Sequence, residues 1–150
     1  MVDSTNPGST RELSAWILVV AAKATGQRLQ EEIERAGLAA SVERVETREE
    51  LELALDRRSF DAAVVASIGG MDYDAVEALW RAKGQAIAGV AFGETYDEEA
   101  MRAAMRAGAV DHVSGDRIAR LGPALARELR RARSRTLPDP VSGRAQSLLQ

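Results

Sequence analysis

Trp16-Ile17-Leu18-Val19-Val20-Ala21-Ala22-Lys23-Ala24 is the stretch on which the fold turns. Five large apolar residues run, without polar alternation, into two small residues and a lysine. Such a run fits a strand covered on both faces, the usual state in a parallel sheet. A helical pattern follows. Leu29 and Ile33 fall on one side of it, Thr25 stands as its candidate N-cap, and Gly37 as its stop. In an open α/β sheet the chemistry lies just past the carboxyl ends of the strands. Here that place holds Ala21, Ala22 and Lys23, which bring neither carboxylate nor hydroxyl.

The same alternation continues outward. Val42-Glu43-Arg44-Val45 within 41–46 predicts a second, less buried strand at a sheet edge. Thr47 and Glu50 have capping-box spacing and open a helix that turns Leu51, Ala54 and Leu55 inward. The apolar run 60–66 predicts a third strand, with Ser67-Ile68-Gly69-Gly70-Met71 as the loop after it. Asp72 or Asp74 caps the next helix, with Val76, Leu79 and Trp80 on one side. A fourth strand is predicted over 86–92. Thr95 and Glu98 then repeat the capping-box spacing ahead of a helix over 98–107, with Met101, Ala104 and Met105 inward. A fifth strand covers 109–113, followed by the loop Ser114-Gly115-Asp116. The last helix spans 117–135 on the stripe Ile118, Leu121, Leu125 and Leu129, and Pro123 places its proper start at 122 or 123. Five strands alternating with five helices predict a doubly wound, flavodoxin-like parallel sheet of order 2-1-3-4-5, with helices on both faces.

At 150 residues the chain suits one domain. The expected organisation is a leader over 1–13, a domain over 14–135 and a polar tail or linker over 136–150, begun by Pro138 and Pro140. A net charge of −3 does not favour general polyanion binding. The absence of cysteine excludes disulfides and thiolate metal sites, and a single histidine, His112, leaves no histidine zinc site. No cofactor is expected. No apolar run approaches the roughly 20 residues needed to span a bilayer, and the polar start lacks a signal-like segment. A cytoplasmic protein without membrane contact is the expectation.

Over about 16–135 the sequence resembles the CheY-like receiver domain of two-component response regulators. Met105-Arg106-Ala107-Gly108-Ala109-Val110-Asp111-His112-Val113 is similar to that family's fourth-helix-to-fifth-strand segment. The stretch from Ile118 to Leu125 resembles the fifth helix of receivers attached to sensor kinases. Phe60 to Val65 and Gly70-Met71-Asp72 resemble the third strand and its loop. The resemblance implies a known chemistry. Two acids after the first strand and an aspartate after the third hold Mg²⁺, and that aspartate accepts a phosphoryl group. A hydroxyl after the fourth strand and a lysine after the fifth bind the phosphoryl oxygens, offsetting the transferred charge.

Each of these positions departs from the pattern. The acidic pair falls on Ala21 and Ala22. The phosphoacceptor falls on Ala66 when counted from Phe60, or on Val65 when counted back from Met71. The hydroxyl falls on Ala91, the lysine on Gly115, and the fifth strand's aromatic on His112. Mg²⁺ requires oxygen ligands, at least one or two of them carboxylates, and methyl groups supply none. The resemblance is therefore to a degenerate pseudo-receiver without its phosphorylation site, and no enzymatic activity is expected.

Other features have two readings each. Lys23 either replaces the metal's charge or is a solvated lysine at a loop edge. Ser67 has no base beside it and reads as a loop serine, while Gly69-Gly70 reads as a tight turn rather than an anion cradle. His112 is either a pH-sensitive switch or a half-buried packing residue. The last helix carries Arg117, Arg120, Arg127, Arg130, Arg131, Arg133 and Arg135 against one acid, Glu128. This is a contact surface for an acidic partner or a second copy, or a solvated face; no aromatics interleave the arginines, so nucleic acid is not the expected partner.

These readings converge on a phosphorylation-independent protein–protein interaction module of bacterial signalling. Its partner is a signalling protein or a second copy in a homodimer. The contact face is that of the fourth helix, fifth strand and fifth helix, with Tyr96, Met101, Met105, His112, Arg117, Arg120, Arg127, Arg130 and Arg131 as candidates. The alternatives are a flavodoxin-like domain holding a small ligand in the vacated pocket, or a receiver-like fragment of a larger sensor kinase.

Overall fold

The computed structural model of the chain describes residues 15–136. The expected leader and, apart from Thr136, the expected tail lie outside the described residues. The elements alternate as β1 (Trp16–Val20), α1 (Lys23–Arg35), β2 (Ser41–Val45), α2 (Arg48–Arg57), β3 (Ala62–Ala66), α3 (Tyr73–Ala82), β4 (Ala88–Gly93), α4 (Glu98–Ala107) and β5 (Asp111–Ser114). A 3-10 turn (Gly115–Arg120) then leads into α5 (Leu121–Thr136). The strands pair in parallel in the order β2-β1-β3-β4-β5, as the apolar runs predict.

Side-chain alternation along β1 divides the core. Ile17 and Val19 face a layer formed by α1 and α5, through Leu29, Ile33, Leu121 and Leu125. Leu18 and Val20 face α2, α3 and α4, through Leu51, Leu55, Val76, Trp80 and Ala104. Burial of each large aliphatic side chain stabilises the fold by about 1.5–3 kcal/mol, so both layers are needed. Beneath α3, Tyr73 and Trp80 meet edge to face at 5.9 Å and press on Gly89 of β4. A Cβ on Gly89 would stand 2.2 Å from the Tyr73 hydroxyl, so only glycine admits this pair.

Helix starts correct the sequence reading in two places. Thr25 does not cap α1: Ala22 stands at the N-cap without a side-chain bond, and Thr25 lies within the first turn. Thr95 does not cap α4. The Asp97 carboxylate accepts from the Glu99 and Ala100 N–H groups instead, because α4 begins only at Glu98. Thr47 and Asp72 do cap, accepting from the Glu50 and Ala75 N–H groups. The inward set of α4 is also corrected. Ala104 is buried, but Met101 is half-buried and Met105 is 44% exposed. Ala100, Ala103 and Ala104 line the cleft beside the sheet, which turns the methionines outward. Strands β3, β4 and β5 each begin two residues later than predicted, and β5 includes Ser114.

Candidate functional site

The carboxyl ends of the strands are aligned by register. Val20 pairs with Val65, Ala66 with Phe92, and Gly93 with Ser114. Ala21, Ala66 and Gly115 therefore sit at one end of the sheet, just where the resemblance places an acid, a phosphoacceptor and a lysine. Ala21 is fully buried and Ala66 is 8% exposed. Arg44 donates to the Ala21 carbonyl at 3.0 Å, and the Ala21 N–H donates to Val45. Ala22 is half-buried and Lys23 is exposed at the start of α1. The fit of a divalent cation can be judged from these side chains: three methyl groups supply no oxygen ligand, so the residues do not fit Mg²⁺. Among the described residues no three His, Asp or Glu side chains gather to hold a metal.

Beside this end lies a cleft of about 440 Å³. Its floor is Val65, Ala66, Ala91 and Phe92, and α4 walls it with Ala100, Ala103 and Ala104. Ala66, Ala91 and His112 meet there; Ala21, Ala22, Lys23 and Gly115 do not line it. The rim carries Asp72, Asp74, Glu94 and Asp97. Asp72 and Asp97 are engaged as helix caps, and Glu94 accepts from Thr25 and pairs with Arg28. Tyr73 is neutral beneath the cleft, since burial and the neighbouring Glu77 push its phenol far above the usual range.

Glu94 is the residue that sequence reasoning missed. Its Oε2 accepts from Thr25 Oγ1 at 3.0 Å, and its Oε1 forms an ion pair with Arg28 Nη1. The Arg28 hydrogen bond holds its carboxyl below the usual carboxylate range, and Thr25 adds to this. Its backbone crowds Gly115: a Cβ there would stand 2.5 Å from the Glu94 carbonyl oxygen. The signal in the sequence was a charged residue directly after Gly93 at a strand end, where α/β sites form.

The face of α4, β5 and α5 combines apolar and charged groups. Tyr96 is 58% exposed; its ring meets His112 edge to face at 6.4 Å, and its hydroxyl lies 3.8 Å from Met101 Sδ. Burial holds the His112 imidazole below its usual pKa, with Asp111 and Asp97 opposing and Arg120 reinforcing the shift. Several arginines have partners within the chain. Arg120 holds both Asp111 oxygens at 3.1 Å and donates to the His112 carbonyl. Arg127 reaches Asp111 at 3.7 Å and Glu128 at 3.2 Å, and Arg131 reaches Glu128 at 3.3 Å. Arg117 and Arg130 are exposed, and their side chains make no ion pair or hydrogen bond among the described residues. Among the described residues no helix is long and apolar enough to cross a membrane.

No family model and no curated protein matches this sequence. Solved structures do resemble the fold. A two-component response regulator from Clostridium difficile superposes with a TM-score of 0.66 at 18% identity, covering 78% of this chain and 97% of that one. The receiver domain of a sensor histidine kinase from Pseudomonas aeruginosa PAO1, which has a magnesium ion in its active-site cleft, gives 0.63 at 19% identity over 77% and 98% of the two chains. An atypical orphan response regulator, described with a phosphorylation-independent regulatory mechanism, gives 0.60 at 18% identity over 77% and 95%. The structural neighbours are thus receiver domains of response regulators and kinases, and the shared feature is the fold.

Proposed function

We propose that the chain is a pseudo-receiver: a domain of receiver fold that is not phosphorylated and serves bacterial signalling by binding another protein. The observation that carries this is the set of methyl groups at Ala21, Ala22 and Ala66, where a receiver needs carboxylates for metal and phosphoryl group. Gly115 supports it, since the lysine position is crowded by the Glu94 backbone. That one receiver-fold neighbour is described as phosphorylation-independent is in keeping with it. The reading includes a domain over 14–135 and a cytoplasmic location.

Binding is assigned to the face of α4, β5 and α5, with Tyr96, Met101 and Met105 as its apolar groups and the exposed Arg117 and Arg130 as its charged ones. The partner is a signalling protein or a second copy. Acetyl phosphate or beryllofluoride with Mg²⁺ is expected to give no mass adduct and no change in the amide NMR spectrum; a stoichiometric adduct overturns the reading. Self-association is checked by light scattering, with Met105→Glu and Arg130→Glu expected to reduce any dimer.

The cleft of about 440 Å³ favours a second reading, a small ligand beneath the loop after β4. A thermal-shift screen with nucleotides and cyclic nucleotides separates the two, because only this reading expects a saturable shift. Three of the four rim carboxylates already have partners, which leaves few groups to orient a ligand.

A further inference from the structure

After Gly93 ends β4 the chain bends at Glu94 and Thr95, and Glu94 reaches a helix far from it in sequence. Thr25 and Arg28 lie on α1, which follows β1, and β3 stands between β1 and β4 in the sheet. The amino end of α1 lacks an anion of its own. Ala22 gives no side-chain cap, and the first turn carries no acid. Its N–H groups and partial positive charge, with Arg28 one turn further, favour a carboxylate. Glu94 brings one. The same residue is packed by its backbone, with Oε1 close by, against Gly115, whose missing side chain is what allows the approach. The loop is thus held by contacts of two kinds, one charged and one steric.

The residues after Glu94 lead directly to the contact face. Tyr96 rests edge to face on His112, and Asp97 caps α4. In this sequence no metal or phosphoryl ligand set is present at the strand ends to fix that loop.

We propose that Glu94 is a built-in latch, its carboxylate tying the loop between β4 and α4 to α1 and so holding the Tyr96–His112 contact in one conformation. The inference rests on the pseudo-receiver reading for its consequence, a face set without phosphorylation. The latch itself is read by hydrogen exchange and phosphorylation by mass, so the two fail separately.

The test uses the full chain and the variants Glu94→Gln and Arg28→Ala. Hydrogen–deuterium exchange is followed over residues 93–100, with 121–132 of α5 as the fold control. Both variants are expected to speed exchange in 93–100 by about 1.5- to fivefold, the range for an ion pair at a half-exposed site, and to leave α5 unchanged. Glu52→Gln, which removes the exposed Arg48–Glu52 pair on α2, is expected to leave 93–100 unchanged. Salt near 1 M should speed the same segment in the wild type, since the pair is exposed to screening. His112 is the single histidine of the chain, so its ring protons give isolated NMR signals, expected to move in the same direction in both latch variants. Equal protection of 93–100 in the wild type, Glu94→Gln and Arg28→Ala overturns the latch. Should either variant unfold, the salt dependence of the wild type decides it alone, and unchanged exchange at high salt then overturns the latch as well.

Discussion

Replacing Gly115 by alanine adds one methyl group just past the end of β5. The added Cβ would stand 2.5 Å from the Glu94 carbonyl oxygen and 3.1 Å from its Oε1, where ordinary contact begins at 3.4 Å. The nearer atom is backbone, so no rotamer change relieves it, and the two segments must separate by about 1 Å. Gly115 is not among the glycines with positive φ, so its backbone conformation itself admits alanine. Overpacking of this kind costs about 1–3 kcal/mol. Loss of chain freedom in the unfolded state returns about 0.4–1 kcal/mol. The net expectation is a destabilisation of about 1.3 kcal/mol, the difference between the midpoints of those two ranges. Urea unfolding followed by the fluorescence of Trp16 and Trp80 reads it as a lower midpoint with an unchanged slope. Adding Glu94→Ala should not restore the midpoint, because the closest contact is with the carbonyl and not the side chain. Full recovery in that double variant, or a Gly115→Ala protein as stable as the wild type, refutes the account of why glycine stands here.

Two further predictions concern α4 and His112. Asp97→Ala should cost about 1 kcal/mol through loss of the α4 N-cap, whereas Thr95→Ala should change stability by no more than about 0.5 kcal/mol; urea midpoints of the two variants check this. For His112, burial lowers the folded-state pKa below 6.5, with Asp111, Asp97 and Arg120 around the ring. Between the folded and unfolded pKa values the unfolded chain binds more protons, so stability falls as pH drops through 6.5 and levels off below the lowered folded value. The difference in unfolding free energy between wild type and His112→Phe, followed from pH 7.5 to about 5, should show this decline; a flat difference contradicts a desolvated imidazole.

What could be read from the sequence followed from periodicity and from position relative to strand ends. The runs in β1, β3 and β4 are apolar because both sheet faces are covered, and that signal survives without knowledge of any partner. The places of Ala21, Ala66 and Gly115 at one end of the sheet were legible for the same reason. Caps were less so. Thr25 and Thr95 had the right chemistry, but a cap is fixed by where the helix begins, and α1 and α4 begin at Lys23 and Glu98. The outward turn of Met101 and Met105 depended on the alanines of α4 facing the cleft, which periodicity alone does not decide. Partner choice by long side chains was not legible at all. Arg120 and Arg127 find Asp111 within the same face, so a run of arginines overstated the charge free for a partner. Arg28 finds Glu94 across 66 positions of sequence. The same rule explains both surprises: strand ends place backbone, but a charged side chain several bonds long takes the nearest opposite charge that the finished fold brings to it. The methyl groups at the strand ends can therefore be read from the sequence, while the charged contacts beside them show only once the strands are side by side.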